Sequence, residues 1–381
     1  MKFLLSHSHS DTKTLLGVFT QSGVSEASRV FTRFQRRDSS APPQNDSHGA
    51  ASKVERKRLR ASGSVVQFAF ILLLFLFASV QAADVPKEKI AFAYASISPS
   101  MSAVWMAKEI GAFDRNGLNA ELVYISSGAT TIQALVGGSV QAALGASNAV
   151  VAAALKGAPI IAVASNTSRP GMQLWVQPEI QRAEQLQGKT LAITRFGSTS
   201  DFVTRLVLRK LNLENKTELR QFGGVVEADL GFRARQAEGR VSSQAPGPKA
   251  KMLVDAAELG IPFSMNLLAV SNEYLSKSPK SVEAIVRAYI EGVAALKTRK
   301  AQALKLFEKY MGQRGGSPEM HYEFVMKYLD SVPRIDAAAV ETVLEMVGVK
   351  GAPKNKLYDN SIIDRLVHEG FTEKLYKGAK S

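Results

Sequence analysis

The sequence predicts an α/β protein of two similar lobes, each half of a cleft, and three observations carry that prediction. The first is the stretch Asn119–Asn166, which reads strand, Ser/Gly turn, helix, short strand, helix, strand. Such alternation builds a parallel sheet with right-handed crossovers. The second is that the design recurs: the apolar strand Lys189–Thr194 leads through Arg195-Phe196-Gly197-Ser198-Thr199-Ser200-Asp201 into a helix with Phe202, Leu206 and Leu213 on one side. The third is a weak internal echo, in which Gly239-Arg240-Val241 through to Gly260 repeats the spacing of Gly138-Ser139-Val140 through to Gly157.

The chain in order supports the same architecture. Lys89–Ser96 is a strand of small and aromatic residues, and the turn Ile97-Ser98-Pro99-Ser100 passes it into a helix over Met101–Gly111. Glycines on either side of Ala112–Asn116 return the chain to the strand Asn119–Ser126. Beyond Asn166, Met172–Gln177 is a strand broken by Pro178, and residues 179–188 form a short helix. A strand around Glu218–Phe222, a helix over Val226–Glu238, the segment Arg240–Ala245, the turn Pro246-Gly247-Pro248 and a helix over Lys249–Leu259 complete the second lobe. Phe263–Val270 is a strand recrossing to the first lobe, with crossings placed near Gln177–Ile180 and Pro262–Ser264. The rest is helical. Val282, Ile285, Val286, Tyr289, Ile290, Val293 and Leu296 make one apolar stripe in a long helix, too apolar to be left in water, so this tail is expected against lobe 1.

The segment before this region has a different character. The basic run Lys53–Arg60 precedes an apolar core from Val65 to Ala78 and the small residues Ser79-Val80-Gln81-Ala82, the layout of an export signal cut near Ala82. A permanent anchor needs about 20 apolar residues and is the alternative. No methionine lies between Met1 and Met101, so translation is expected to begin at a non-Met codon such as that of Val54. The expected divisions are therefore 1–64 as extension and basic flank, 65–82 as signal core and cleavage region, 83–178 as the first part of lobe 1, 179–262 as lobe 2, and 263–381 as the return to lobe 1.

Composition excludes several function classes. The 381 residues carry a formal charge of +14, with 11 basic and 5 acidic side chains in residues 1–82 and 37 and 29 in the remainder. The later charges are scattered on helix faces without basic-aromatic clusters, which argues against a nucleic-acid partner. Absence of cysteine removes disulfides, thiolate metal sites, a cysteine nucleophile and a lipoprotein anchor. Beyond residue 82 the histidines are His321 and His368, both in C-terminal helical stretches and read as helix-surface residues, so no Ser/His/Asp arrangement can form in the cleft. Neither a metal nor a cofactor is implied.

The candidate ligand residues sit where strands feed helix N-termini, at which free N–H groups favour an anion. They are Ser98, Ser100, Met101 and Trp105 at the first turn, Ser127, Gly128 and Thr130 at the second, Ser147 and Asn148 at the third, and Asn166 after the following strand. The second lobe contributes Arg195, Phe196, Gly197, Ser198, Thr199 and Ser200, with Pro246 and Gly247 beyond. Arg169 and Arg195 are candidate bidentate contacts to a carboxylate or sulfonate, Trp105 and Phe196 candidate packing surfaces, and Asp201 a cap of its own helix.

The block Ala103–Leu122, AVWMAKEIGAFDRNGLNAEL, with Ser127-Gly128, Ala134–Val140 and the later Glu258-Leu259-Gly260-Ile261-Pro262-Phe263, resembles the NMT1-like, SsuA/TauA/nitrate-type periplasmic substrate-binding proteins of ABC transporters. The likeness covers residues 87–375. It implies a type II periplasmic-binding-protein fold, two α/β lobes with a ligand cleft between them and a helical C-terminal extension packed on lobe 1. Family members bind sulfonates, taurine, nitrate, bicarbonate or thiamine-pathway pyrimidines. The chain departs from the family's second-lobe pattern by carrying Gly239-Arg240-Val241-Ser242-Ser243-Gln244 where an acidic residue follows the Val. The expectation is an exported, monomeric solute-binding protein that captures a sulfonate, carboxylate, nitrate or pyrimidine-like molecule and hands it to an ABC permease and its ATPase, touching the membrane only through them or through an uncleaved signal. The alternatives are a membrane-tethered ligand sensor and a thiamine-pyrimidine-synthase-like enzyme. The latter's Cys-rich motif and first-turn histidine are replaced here by no Cys and Ser98-Pro99-Ser100.

Overall fold

The computed structural model describes residues 86–377 apart from 313 and 315. The expectations for the extension, the signal and the start codon lie outside the described residues. Two five-stranded mixed sheets organise the described chain. The first has the order β2-β1-β3-β10-β4, built from β1 (Glu88–Tyr94), β2 (Leu118–Tyr124), β3 (Ala142–Ala146), β4 (Ile160–Ser165) and β10 (Asn266–Ser271). The second has the order β7-β6-β8-β5-β9, from β5 (Gln173–Val176), β6 (Thr190–Ile193), β7 (Glu218–Gln221), β8 (Gly239–Ser242) and β9 (Lys251–Asp255).

The two orders are the same design. β1 lies between parallel partners β2 and β3, as β6 lies between β7 and β8. The fourth place in each sheet is taken by an antiparallel strand that has just crossed from the other sheet, β10 in the first and β5 in the second. The purely parallel expectation is corrected at these two strands. Because β5 already belongs to the second sheet, the chain first crosses over residues 166–172 rather than near Gln177–Ile180.

Burial on both faces explains why the inner strands are continuous apolar runs. All five residues of β3 are buried, as are five of the six in β10. Helices over Ser102–Glu109 (α1), Ala112–Arg115 (α2), Gly128–Val136 (α3) and Ser147–Leu155 (α4) serve the first sheet, and Thr199–Lys210 (α5) and Val225–Arg233 (α6) the second. The C-terminal part begins with Asn272–Lys277 (α7) and the 20-residue helix Pro279–Thr298 (α8), whose predicted stripe from Val282 to Leu296 is entirely buried. α8 packs on α1 through Gly292, where an added Cβ would run into the Ala103 carbonyl oxygen. Lys300–Met311 (α9), Pro318–Tyr328 (α10), Ala337–Met346 (α11), Ser361–His368 (α12) and Phe371–Lys377 (α13) follow.

Three local readings are corrected. Residues 249–259 are β9 and a short 3-10 turn, Ala256–Leu259, because the run Met252-Leu253-Val254 pairs with β5 as a sheet strand. Apolar runs of that length fit either form until a neighbouring strand satisfies their backbone. For the same reason the internal echo stops after its first strand: β3 is followed by α4, whereas β8 is followed by the loop 243–250 and β9. Residues 179–188 hold only the 3-10 turn Ala183–Leu186. Among the described residues no helix is long and apolar enough to cross a membrane.

Candidate functional site

The ends of β1, β2, β6 and β8 converge on a cavity of about 50 Å³ between the sheets. The first sheet's side supplies Ala95, Ser96, Ser98, Ser100, Ser127, Gly128, Met265 and Asn266. The second supplies Thr194, Ser198, Thr199, Ser200, Val225 and the run Arg240-Val241-Ser242-Ser243-Gln244 from β8 into the loop after it, with Met172 from the first crossing. Ten of these residues are Ser or Thr, and Arg240 is the single ionisable one.

The hydroxyls form two chains, one per side. Ser98 Oγ is 2.8 Å from both Ser96 Oγ and Ser100 Oγ. Opposite, Thr194 Oγ1 donates to Ser198 Oγ at 2.8 Å and lies 3.0 Å from Ser200 Oγ, which also accepts from Thr194 N at 3.0 Å. Such rotors donate or accept as a ligand requires.

Ser127 stands apart. It precedes α3 with φ 83° and ψ 128°, a conformation that only glycine adopts cheaply, and its buried Oγ has no hydrogen-bond partner. Backbone strain of this kind amounts to about 1–3 kcal/mol and gathers at ligand clamps. Its neighbour Gly128 is required by close packing, since a Cβ there would lie 2.6 Å from Ala146 N. α3 has no side-chain cap, so its first N–H groups face this corner unsatisfied by Ser127.

The charge of the site comes from Arg240. It is 2% exposed on inner strand β8, and its Nε lies 3.1 Å from Asp229 Oδ1 on α6, an ion pair by distance without hydrogen-bond alignment. Burial pushes the Asp229 carboxyl up, against the pull of Arg240, and the same burial pushes Arg240 down from a value so high that it stays charged. Asp229 is not in the cavity wall, and Arg240 Nη1 has no partner.

Cross-lobe contacts close the cleft. Thr199 Oγ1 donates to Met265 O at 3.0 Å, Asn148 Nδ2 to Gly197 O at 2.8 Å and Ser126 Oγ to Gly223 O at 3.3 Å. Phe202 stacks on Phe263 with ring centroids 5.2 Å apart.

Of the residues singled out from sequence, Ser98, Ser100, Ser127, Gly128, Ser198, Thr199 and Ser200 meet at the cavity. Asn166 stands behind it: its Oδ1 accepts from Asn266 N at 3.0 Å and its Nδ2 donates to Asn266 Oδ1 at 3.1 Å, fixing a residue of the wall. Met101 and Trp105 lie in the core of lobe 1, the indole stacked on Tyr310 at 4.9 Å. Thr130 is half-buried on α3 away from the lining, and Ser147 is buried at the start of α4. Asn148, Phe196 and Gly197 line a separate open groove beside α3 and α4, where Phe196 is 51% exposed. Arg195 is exposed, and Pro246 and Gly247 fall outside the wall, Gly247 lying against Arg233. Arg169 donates to Lys327 O at 2.7 Å and is thereby committed to α10. Asp201 accepts from Gly197 N and from Arg205 Nε, both at 2.8 Å, bracing the turn. His321 is corrected: it is 1% exposed, packed on Phe307, with Nε2 3.0 Å from Arg314 O, and burial pushes its pKa down. Among the described residues no group of three His, Cys, Asp or Glu is placed to hold a metal ion.

Sequence reasoning missed the other wall residues, among them the polar Ser96, Thr194, Arg240, Ser242, Ser243, Gln244 and Asn266. The available signal was a charged residue inside the otherwise apolar strand Gly239-Arg240-Val241, since buried arginines occur almost only with a partner and a purpose.

The family model described as NMT1/THI5 like matches residues 98–303. No curated protein matches the chain. Among solved structures, the alkanesulfonate-binding protein SsuA from Xanthomonas axonopodis pv. citri, bound to MOPS, has a TM-score of 0.58 at 15% identity, covering 69% of this chain and 92% of that one. The nitrate-binding protein NrtA from Synechocystis PCC 6803 has a TM-score of 0.59 at 12% identity, covering 74% and 89%. The desulfurization enzyme DSZB has a TM-score of 0.50 at 14% identity, covering 74% and 99%. The shared feature is the periplasmic-binding-protein fold.

Proposed function

Because the chain belongs to the NMT1/THI5-like family, we propose that it is the solute-binding component of an ABC importer, holding a small polar or anionic molecule between its lobes without transforming it. The observation that carries this reading is the cavity itself, walled from both sheets by hydroxyls, uncapped helix ends and one buried guanidinium. The wall offers no histidine or carboxylate to act as general base, which favours binding over turnover. The ligand range is sulfonates, carboxylates, nitrate and pyrimidine-like compounds, of which likeness to sulfonate- and nitrate-binding proteins supports the sulfonates and nitrate.

Closure uses the two crossings, residues 166–172 and 256–265, as the hinge, and the ligand shifts the population toward the closed form through contacts to both lobes. The protein acts after export and cleavage near Ala82, as a monomer, and delivers its ligand to a permease and its ATPase.

Thermal-shift screening of the exported protein against those ligand classes tests the reading, because a ligand at about 100 times its Kd adds about 2.7 kcal/mol of stability. Ser127→Phe and Ser200→Phe are expected to abolish the response while circular dichroism stays native. Unchanged affinity in both variants discards this site, and conversion of the bound compound on prolonged incubation discards the non-enzymatic reading.

A further inference from the structure

The cavity wall has ten hydroxyl residues, no carboxylate and a single ionisable side chain, Arg240. That residue reaches the cavity from β8, a strand flanked on both sides by β6 and β5, and Asp229 Oδ1 lies 3.1 Å from its Nε as an ion pair without a hydrogen bond. Nη1 is left without a partner, as is Ser127 Oγ across the cavity. Buried guanidinium N–H groups are almost always hydrogen-bonded, so these atoms define where an acceptor belongs.

We infer that the cavity takes a small, singly charged oxyanion, with Arg240 as its counter-charge and Ser127 as a second donor. The inference rests on the solute-binding reading above and adds the ligand's charge and size. Asp229 anchors Arg240 from outside the wall, so the ligand meets the positive end of the pair. A volume of about 50 Å³ corresponds to roughly three to five water-sized positions. Nitrate, acetate or methanesulfonate fills it; a substituted pyrimidine does not. Met172, Val225 and Met265 give the wall an apolar sector that suits a methyl group.

Removing Arg240 alone would leave Asp229 buried and unpaired, so the test uses Asp229→Asn/Arg240→Gln, which removes both charges and keeps a polar amide at each position. Isothermal titration of sodium nitrate, sodium acetate and sodium methanesulfonate, with acetamide as the neutral control and sodium chloride holding ionic strength, reads the outcome. The wild type is expected to bind at least one of the three anions and not acetamide. The double variant, with native circular dichroism, is expected to bind that anion about 10- to 100-fold more weakly, the range of one charge-assisted hydrogen bond. Arg240→Lys keeps the charge but loses the fork, and is expected to weaken the same anion by a smaller factor. Wild-type affinity in the double variant, or in Arg240→Lys and Ser127→Ala together if the double variant does not fold, overturns the inference. Tighter wild-type binding of acetamide, of pentanesulfonate or of a pyrimidine overturns this inference alone. A wild type stabilised by no solute in the wider screen overturns it together with the solute-binding reading.

Discussion

Ser127→Gly separates the two roles the strained turn plays. The residue holds φ 83° with its Oγ buried and unpartnered. Glycine adopts that backbone freely, which recovers about 1–3 kcal/mol of strain, while the added freedom of the unfolded chain takes back roughly 0.5–1 kcal/mol. Removing an unpaired buried hydroxyl adds about 1 kcal/mol more. The hydrogen bonds at this position run through the backbone, from Ser127 N to Ala95 O at 3.1 Å and from Thr131 N to Ser127 O at 3.0 Å, so the variant keeps them. The net expectation is a gain of about 1–3 kcal/mol, a rise in Tm of roughly 2–6 °C for a domain of this size. The same variant loses a donor to the ligand and is expected to show a smaller ligand-induced shift than the wild type. Differential scanning calorimetry with and without ligand reads both numbers on one sample. A less stable variant with an undiminished ligand shift would refute the reasoning, because Ser127 would then be part of the scaffold.

Gly292→Ala drives a methyl group into the Ala103 carbonyl of α1, whose own helical bonding leaves it no room to move. Overpacking of this kind costs about 1–3 kcal/mol against a helix-propensity gain near 1 kcal/mol, and urea denaturation is expected to show a net loss. Thr199→Val deletes the cross-lobe bond to Met265 O, worth about 0.5–1.5 kcal/mol in the closed form, so ligand titration is expected to show a several-fold rise in Kd with little change in apo stability. Asp255 ties β9 to α10, accepting from Lys327 Nζ at 2.8 Å and Tyr328 OH at 2.6 Å. Burial raises its pKa, but those donors outweigh burial and hold it below the usual carboxylate range. The carboxylate's contribution is therefore complete above the unfolded pKa near 3.8 and lost as pH falls through the lower folded value; Asp255→Asn is expected to be less stable than wild type at pH 6, with the gap closing below pH 4. His321 is held below its ordinary pKa by burial, so its contribution is present above about pH 6.5 and declines as pH falls below it; His321→Gln is expected to flatten stability between pH 6.5 and 5.

What could be read from the sequence, and what could not, divides along physical lines. The β1, β2, β3, β4 and β6 strands and the turns after them are local statements: an apolar run, a small hydroxyl residue, a helix start. They were readable because each signal lies within about ten residues, and Ser98, Ser100, Ser127, Gly128, Ser198, Thr199 and Ser200 come together at the cavity as a result. The long helix α8 was equally readable, since its stripe from Val282 to Leu296 needs a partner surface whatever that surface is. Strand membership was not local. β5 acquires its place from pairing with β8 and β9, and β9 from pairing with β5, so the local pattern puts the crossing too late in the chain and gives β9 the look of a helix.

The side chains that give the site its charge illustrate the same division. Arg169 and Arg195 stand next to turns and attract attention in the sequence, yet one is spent on the Lys327 carbonyl and the other faces solvent. Arg240 stands in a strand, where alternation alone assigns it to a face and not to a partner. Its partner Asp229 is eleven positions earlier on a helix, a separation no periodicity links. The fold brings them within 3.1 Å, and two positions along the same strand residue 242 is a serine. A second carboxylate at Ser242, itself in the cavity wall, would have cancelled the guanidinium there; Ser242 leaves it open to an anion. Ser242→Asp, which adds a carboxylate to the wall that Arg240 shares, is accordingly expected to weaken anion binding even though Arg240 is untouched. Undiminished nitrate, acetate or methanesulfonate binding in that variant would refute Arg240's place as the counter-charge.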